Sequence, residues 1–161
     1  MQIRVFSRSS RVFSCALVGV VLSSAATLAA QTTVTVDQPS TDVWAATIRG
    51  GSYADKNDRS VLATRASGDL EYQRRAFLKF DTQNTIPAGS SVSSALLTVT
   101  VKLGSEDASR LVGAYQVTTS WAEDEVTWTH RRLNEAWETG GGDLGPRIDE
   151  AAVSVSAASH R

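Results

Sequence analysis

From Ser94 to Leu103 the chain alternates strictly: Ala95, Leu97, Val99, Val101 and Leu103 on one parity, Ser94, Leu96, Thr98, Thr100 and Lys102 on the other. A period of two places successive side chains on opposite faces, so this stretch predicts a strand with one face turned inward. No segment sustains a helical period. Further strand-like runs fall at Thr32–Val36, Val43–Ile48, Val61–Arg65, Tyr72–Asp81, Leu111–Thr118, Val126–Trp128 and Ala151–Ser156. Turn residues separate them at Gly50-Gly51, Ser67-Gly68, Pro87-Ala88-Gly89, Gly104-Ser105 and Gly140-Gly141-Gly142. Short strands at this spacing predict an all-β fold, an antiparallel β-sandwich first and a closed barrel second. Leu133 and Trp137, four apart, suggest at most one helical turn.

The first thirty residues read as an export signal. Arg4, Arg8 and Arg11 give a basic start, Val12 to Leu28 is apolar with small residues, and Thr27, Ala29 and Ala30 suit cleavage after Ala29 or Ala30. The alternative of an uncleaved anchor fits less well, because the run is short and diluted by serines. The chain therefore divides into a signal peptide, 1–30, and one domain, 31–161, of a secreted, extracellular protein. Cys15, the single cysteine, lies in the leader, so the domain has no disulfide and must be held by core packing or an ion. After cleavage no membrane association is expected.

The net charge is −1, and losing the three leader arginines makes it −4. That balance argues against nucleic acid as a partner. It conceals an asymmetry. Seven basic residues lie between Arg49 and Lys79 against four acids, whereas acids dominate beyond Gly104. Within the run Tyr72–Asp81, Ala76, Leu78 and Phe80 make the expected inward set, which leaves Arg75, Phe77 and Lys79 outward. Arg74 shares the inward parity and is set aside as structural. Arginine pairs carboxylates in bidentate fashion and aromatic rings stack on sugars, so Arg49, Tyr53, Lys56, Arg59, Arg65, Arg75, Phe77 and Lys79 form a candidate ligand-binding set, with an ordinary solvated surface as the other reading until the resemblance given below decides for binding.

Catalytic constellations are absent from the sequence. Glu123, Asp124 and Glu125 sit side by side, which does not specify two carboxylates facing each other across a cleft. They read as a solvated charge run; calcium binding through their oxygens is the other reading, but no loop spacing supports a full cage. His130 and His160 lack a nucleophile elbow or cysteines that would make a triad or a zinc site. Neither glycine cluster has the spacing of a phosphate loop. No enzyme and no cofactor are expected. Trp44, Trp121 and Trp128 are expected in the core, and Trp137 is the better candidate for an exposed ring.

Four blocks in order carry a resemblance: Thr47-Ile48-Arg49-Gly50-Gly51-Ser52-Tyr53-Ala54-Asp55-Lys56-Asn57; Arg75-Ala76-Phe77-Leu78-Lys79-Phe80-Asp81; Ile86-Pro87-Ala88-Gly89 into Val92-Ser93-Ser94-Ala95-Leu96-Leu97; and Ser120-Trp121-Ala122-Glu123 with Val126-Thr127-Trp128. Over about residues 42–145 the chain resembles DNRLRE domains, which overlap with carbohydrate-binding module family 96. The resemblance implies a jelly-roll-like β-sandwich that binds acidic polysaccharide such as alginate without catalysis. In the family the domain runs on through several more strands, so the expectation here is a truncated sandwich missing its last strands, with unpaired edges. Thr129-His130-Arg131-Arg132 replaces an Asn-rich stretch and a proline, so that loop should be built differently. The module would stand alone or be joined to a catalytic or surface-protein module. The alternative is a structural or adhesion spacer of a cell-surface protein with no glycan affinity.

Overall fold

The computed structural model describes residues 2–9, 31–37, 42–102 and 109–153. Its strands are β1 (Gln2–Ser9), β2 (Gln31–Asp37), β3 (Val43–Arg49), β4 (Asn57–Asp58), β5 (Arg74–Phe80), β6 (Ser90–Thr98), β7 (Arg110–Val117), β8 (His130–Arg132), β9 (Glu135–Ala136) and β10 (Leu144–Val153). One helical turn, α1 (Thr82–Thr85), and two short 3-10 turns, Gly51–Tyr53 and Leu70–Tyr72, are the helical elements described. The fold is all-β with antiparallel sheets, in keeping with a β-sandwich. The chain divides into two compact units, Met1–Val43 with Phe80–Val99, and Trp44–Lys79 with Thr100–Arg161.

In the first unit β1 lies between β2 and β6, antiparallel to both, with a register shift at Phe6/Ser7 against β6. Thus Gln2–Ser9, read from sequence as the start of a leader, is a paired strand here. The leader's apolar run and cleavage positions lie outside the described residues. Asp81 starts α1 by accepting the backbone N–H groups of Gln83 and Asn84, each at 3.1 Å. A carboxylate there satisfies donors that the first turn leaves free. The expected turn follows: Ser90 N donates to Pro87 O at 3.1 Å, and Gly89 takes φ +78°, a region open to glycine.

β6 corrects one expectation. It spans Ser90–Thr98 rather than Ser94–Leu103, and every residue from Ser91 to Lys102 is exposed, including Ala95, Leu97, Val99 and Val101. Alternation tells which residues share a face. It does not supply anything to cover that face.

The second unit holds a sheet ordered β4-β3-β5, the ribbon β7–β10 and the hairpin β8–β9. Its core joins Ala46 and Ile48 of β3 and Phe77 of β5 to Trp121, Val126, Trp128 and Trp137 of the following loops. Ile48 and Val126 are wholly buried. Phe77 meets Trp121 edge-on at 5.6 Å between centroids and Trp137 at 5.6 Å with a 39° tilt, both within the preferred range for aromatic pairs. Burying an indole requires a partner for its N–H, and Trp137 Nε1 donates to Thr127 O at 3.0 Å.

Gly140, Gly141 and Gly142 turn the chain directly against these rings. A Cβ on Gly142 would stand 2.6 Å from Phe77 Cζ, and one on Gly141 would stand 2.8 Å from Trp128 Cζ2. Both also take positive φ, +87° at Gly141 and +105° at Gly142. Only glycine meets the two demands together.

Three further expectations change. Phe77 is 3% exposed, so β5 turns its Arg75–Phe77–Lys79 face toward the core, opposite to the parity read from sequence. Trp137 is buried rather than exposed. The Leu133–Trp137 segment is the β8–β9 hairpin, turned at Asn134 with φ 60°, a conformation asparagine tolerates. Trp121 and Trp128 are core residues as expected, 4% and 6% exposed.

Candidate functional site

The residues expected to bind ligand fall into separate groups on the second unit. At the turn after β3, the Arg49 guanidinium carbon lies 3.9 Å from the Tyr53 ring centroid, with Lys56 Nζ 5.7 Å from the same ring. The turn is tied by Glu71, whose carboxylate accepts Ser52 N at 2.7 Å and the Ser52 hydroxyl. Those two bonds, the hydroxyl first, hold the Glu71 carboxyl below its ordinary range; desolvation opposes them, and the nearby Arg49 charge adds to them last. Asp58 is lowered similarly by the Ser60 hydroxyl and N–H. Arg59 is exposed beside it.

A second pair stacks Arg65 on Tyr72 at 4.8 Å. Arg65 and Arg74 exchange backbone hydrogen bonds of 3.0 Å, so the pair rides on a short bridge beside β5. Arg74 itself is half-buried.

The third group is on β5. Phe77 leaves the binding set, because a ring at 3% exposure inside an aromatic cluster has no face left for a sugar. Arg75 stacks on Trp128 at 5.0 Å, and its Nη1 donates to Gly141 O at 2.6 Å. Burial lowers its affinity for a proton, while the neighbouring Tyr115 acts in the opposite sense. That bond makes Arg75 chiefly a clamp on the glycine turn. Lys79 is exposed, with Nζ 4.6 Å from the Trp44 ring centroid and 5.8 Å from that of Trp121. Its methylene stem covers apolar surface while the charge stays near water.

Lys79 also borders a cleft of about 340 Å3 shared by β5, β7, β10 and the loop after β7. Tyr115, Thr118, Thr119, Ser120 and Trp121 line it. Asp143 fixes this rim. Its backbone carbonyl accepts Thr118 N and Oγ1, each at 3.0 Å, and its carboxylate accepts Thr119 Oγ1 and Thr139 N, each at 3.0 Å. Neither Tyr115 nor this hydroxyl rim stands out in the sequence; the one signal is Gly113-Ala114-Tyr115, a glycine two residues before a ring on the same strand face.

The acidic run is not simply solvated. Glu123 Oε1 accepts Ala45 N of β3 at 2.7 Å, Glu123 O accepts Asn57 Nδ2 at 3.0 Å, and Glu125 Oε2 accepts Leu133 N at 3.0 Å. Glu123 therefore ties its loop to β3 and β4, and Glu125 ties the same loop to the β8–β9 turn, uses that a linear run of charge does not reveal. Among the described residues no group of three or more His, Cys, Asp or Glu side chains is placed to hold a metal ion.

The family model described as carbohydrate-binding module family 96 matches residues 30–136, more than half of the chain. No curated protein and no solved structure matches it.

Proposed function

We propose that this chain, which belongs to carbohydrate-binding module family 96 and is therefore a carbohydrate-binding module, binds acidic polysaccharide such as alginate outside the cell and does no chemistry on it. The observation that carries this reading is the pairing of cations with rings along one stretch of chain: Arg49 and Lys56 at Tyr53, Arg65 at Tyr72, and Lys79 at Trp44 and Trp121. A ring holds each cation in place, which reduces the freedom lost when a carboxylate arrives. Separate weak contacts along a polymer add through effective concentration. The basic start and apolar run of residues 4–28 support export.

Electrophoresis of the full chain through gels containing alginate or pectate tests the proposal. Retardation at low salt that fades as salt rises is expected, because exposed ionic contacts are screened. Unretarded migration in every acidic gel overturns it. The exposed apolar residues of β6, β7 and β10, such as Leu96, Leu111 and Ile148, favour a second reading, a spacer or adhesion unit packed against another module. That reading expects no retardation at any salt.

A further inference from the structure

The cleft bordered by Lys79 and Tyr115 brings together the three chemistries that recognise an acidic sugar. We propose that it is a uronate subsite: one pyranose ring lies on Tyr115, its carboxylate faces Lys79, and its hydroxyls meet the threonine rim. This rests on the acidic-polysaccharide reading and goes beyond it by assigning a single sugar residue to a single cleft.

Tyr115 is the platform. It is 48% exposed, whereas Trp121, the other aromatic in the lining, is 4% exposed and fully engaged in the core. The ring is also seated. Gly113, two residues earlier on the same face of β7, would with a Cβ come within 3.0 Å of Tyr115 Cε2 and 3.4 Å of Arg147 Cδ. Arg147 is the cross-strand partner of Tyr115 in the β7–β10 ribbon. The absent side chain at Gly113 thus lets the phenol lie along the strand, and the arginine stem flanks it. A ring with few rotatable bonds, already placed, loses little entropy when a sugar stacks on it.

Lys79 supplies the charge. Its ammonium stands over two indoles at the edge of the cleft, and Arg75 adds positive potential from a half-buried position near Tyr115. A carboxylate reaching Lys79 forms a charge-assisted hydrogen bond, and among the described residues no acid is paired with that ammonium. The rim supplies polarity of defined sense. Thr118 Oγ1 and Thr119 Oγ1 give their protons to Asp143, so each presents lone pairs that accept from sugar hydroxyls. A volume of about 340 Å3 sits at the lower end of small-molecule sites, which run from about 300 to 1,000 Å3. It suits a single monosaccharide unit.

Titration calorimetry of the full chain with oligogalacturonate and oligomannuronate, each as free acid and as methyl ester, tests the assignment. The wild type should bind the free acids and discriminate against the esters, which keep the ring and lose the charge. Tyr115→Ala should weaken binding about tenfold, Tyr115→Phe less, and Gly113→Val should lose affinity with Tyr115 still present. Lys79→Met should erase the preference for acid over ester. Near-UV circular dichroism of the variants confirms that each is folded. Wild-type affinity in folded Tyr115→Ala and Gly113→Val overturns the cleft and leaves the acidic-polysaccharide reading standing. Equal affinity of the wild type for acid and ester overturns the role of Lys79. No binding of either free acid, together with no retardation in acidic gels, overturns both.

Discussion

Replacing Phe77 by alanine separates a core ring from a sugar-stacking ring, two roles that predict opposite outcomes. The side chain is 3% exposed and packs between Trp121 and Trp137, with both centroids at 5.6 Å. Truncating a buried phenylalanine costs about 3–5 kcal/mol in lost transfer energy and residual cavity. The site collapses poorly. Gly142 approaches Phe77 Cζ so closely that a Cβ would be 2.6 Å away, but it carries no side chain to move into the gap. A loss near the upper end is therefore expected. Whole-domain stabilities run at about 5–15 kcal/mol, so this removes a third or more of the total. For a chain of 161 residues each kcal/mol shifts Tm by about 2–4 °C, so a loss near 5 kcal/mol gives a fall of about 10–20 °C. Thermal melting followed by near-UV circular dichroism is the suitable assay, because Trp121 and Trp137 report on this core. Phe77→Leu, closer in volume, should lose less than Phe77→Ala. A Phe77→Ala variant that melts within about 2 °C of wild type, the range of ordinary surface substitutions, refutes the burial argument. Such a variant with lost glycan affinity would return Phe77 to the binding surface.

Gly142→Ala should destabilise by about 1–3 kcal/mol through overpacking on Phe77, read as a lower urea midpoint with an unchanged slope. Glu123→Ala leaves the buried Ala45 N–H without its acceptor and should cost about 1–3 kcal/mol, whereas Glu123→Gln, which keeps an acceptor oxygen, should recover part of that loss. Glu71 has a folded-state pKa below its unfolded value, so its contribution is present above the ordinary glutamate range and lost as pH falls through the folded value. The stability gap between wild type and Glu71→Gln should accordingly shrink on acidification from about pH 7 to about pH 3, measured by urea titration at each pH. An invariant gap would mean that the Ser52 contacts do not favour the charged form. Amino-terminal sequencing of the exported product should give Ala30 or Gln31 as its first residue.

The strand–turn grammar was legible because it is local. Pro87 and Gly89 fix backbone geometry in place, and β2, β3 and β7 sit within a residue or two of their expected bounds. The burial of Trp121 and Trp128 was legible because large rings in a strand-rich chain need a core. The facing of β5 was not. Both parities carry apolar residues, and Arg75 and Lys79 ordinarily mark the solvent side. Stacking on Trp128, Trp44 and Trp121 lets these cations share a face with a buried Phe77. The role of Glu123 is not legible either, because its partner, Ala45 N, is a backbone group 78 residues away. Tyr115 acquires its role only through cross-strand pairing with Arg147 and the open space over Gly113. Such placement depends on register, which linear sequence does not state.

The seat of Lys79 over two indoles gives the protein an optical reporter of its own. Indole emission responds to a positive charge held near the ring, so an anion that draws the ammonium aside should alter the fluorescence of Trp44 and Trp121. Trp128 provides the internal reference: its cation, Arg75, is bonded to Gly141 O at 2.6 Å and has no reason to move. Glycan titrations can thus be followed without a label. A signal that survives Trp128→Phe and disappears in Lys79→Met would trace the change to that single ammonium.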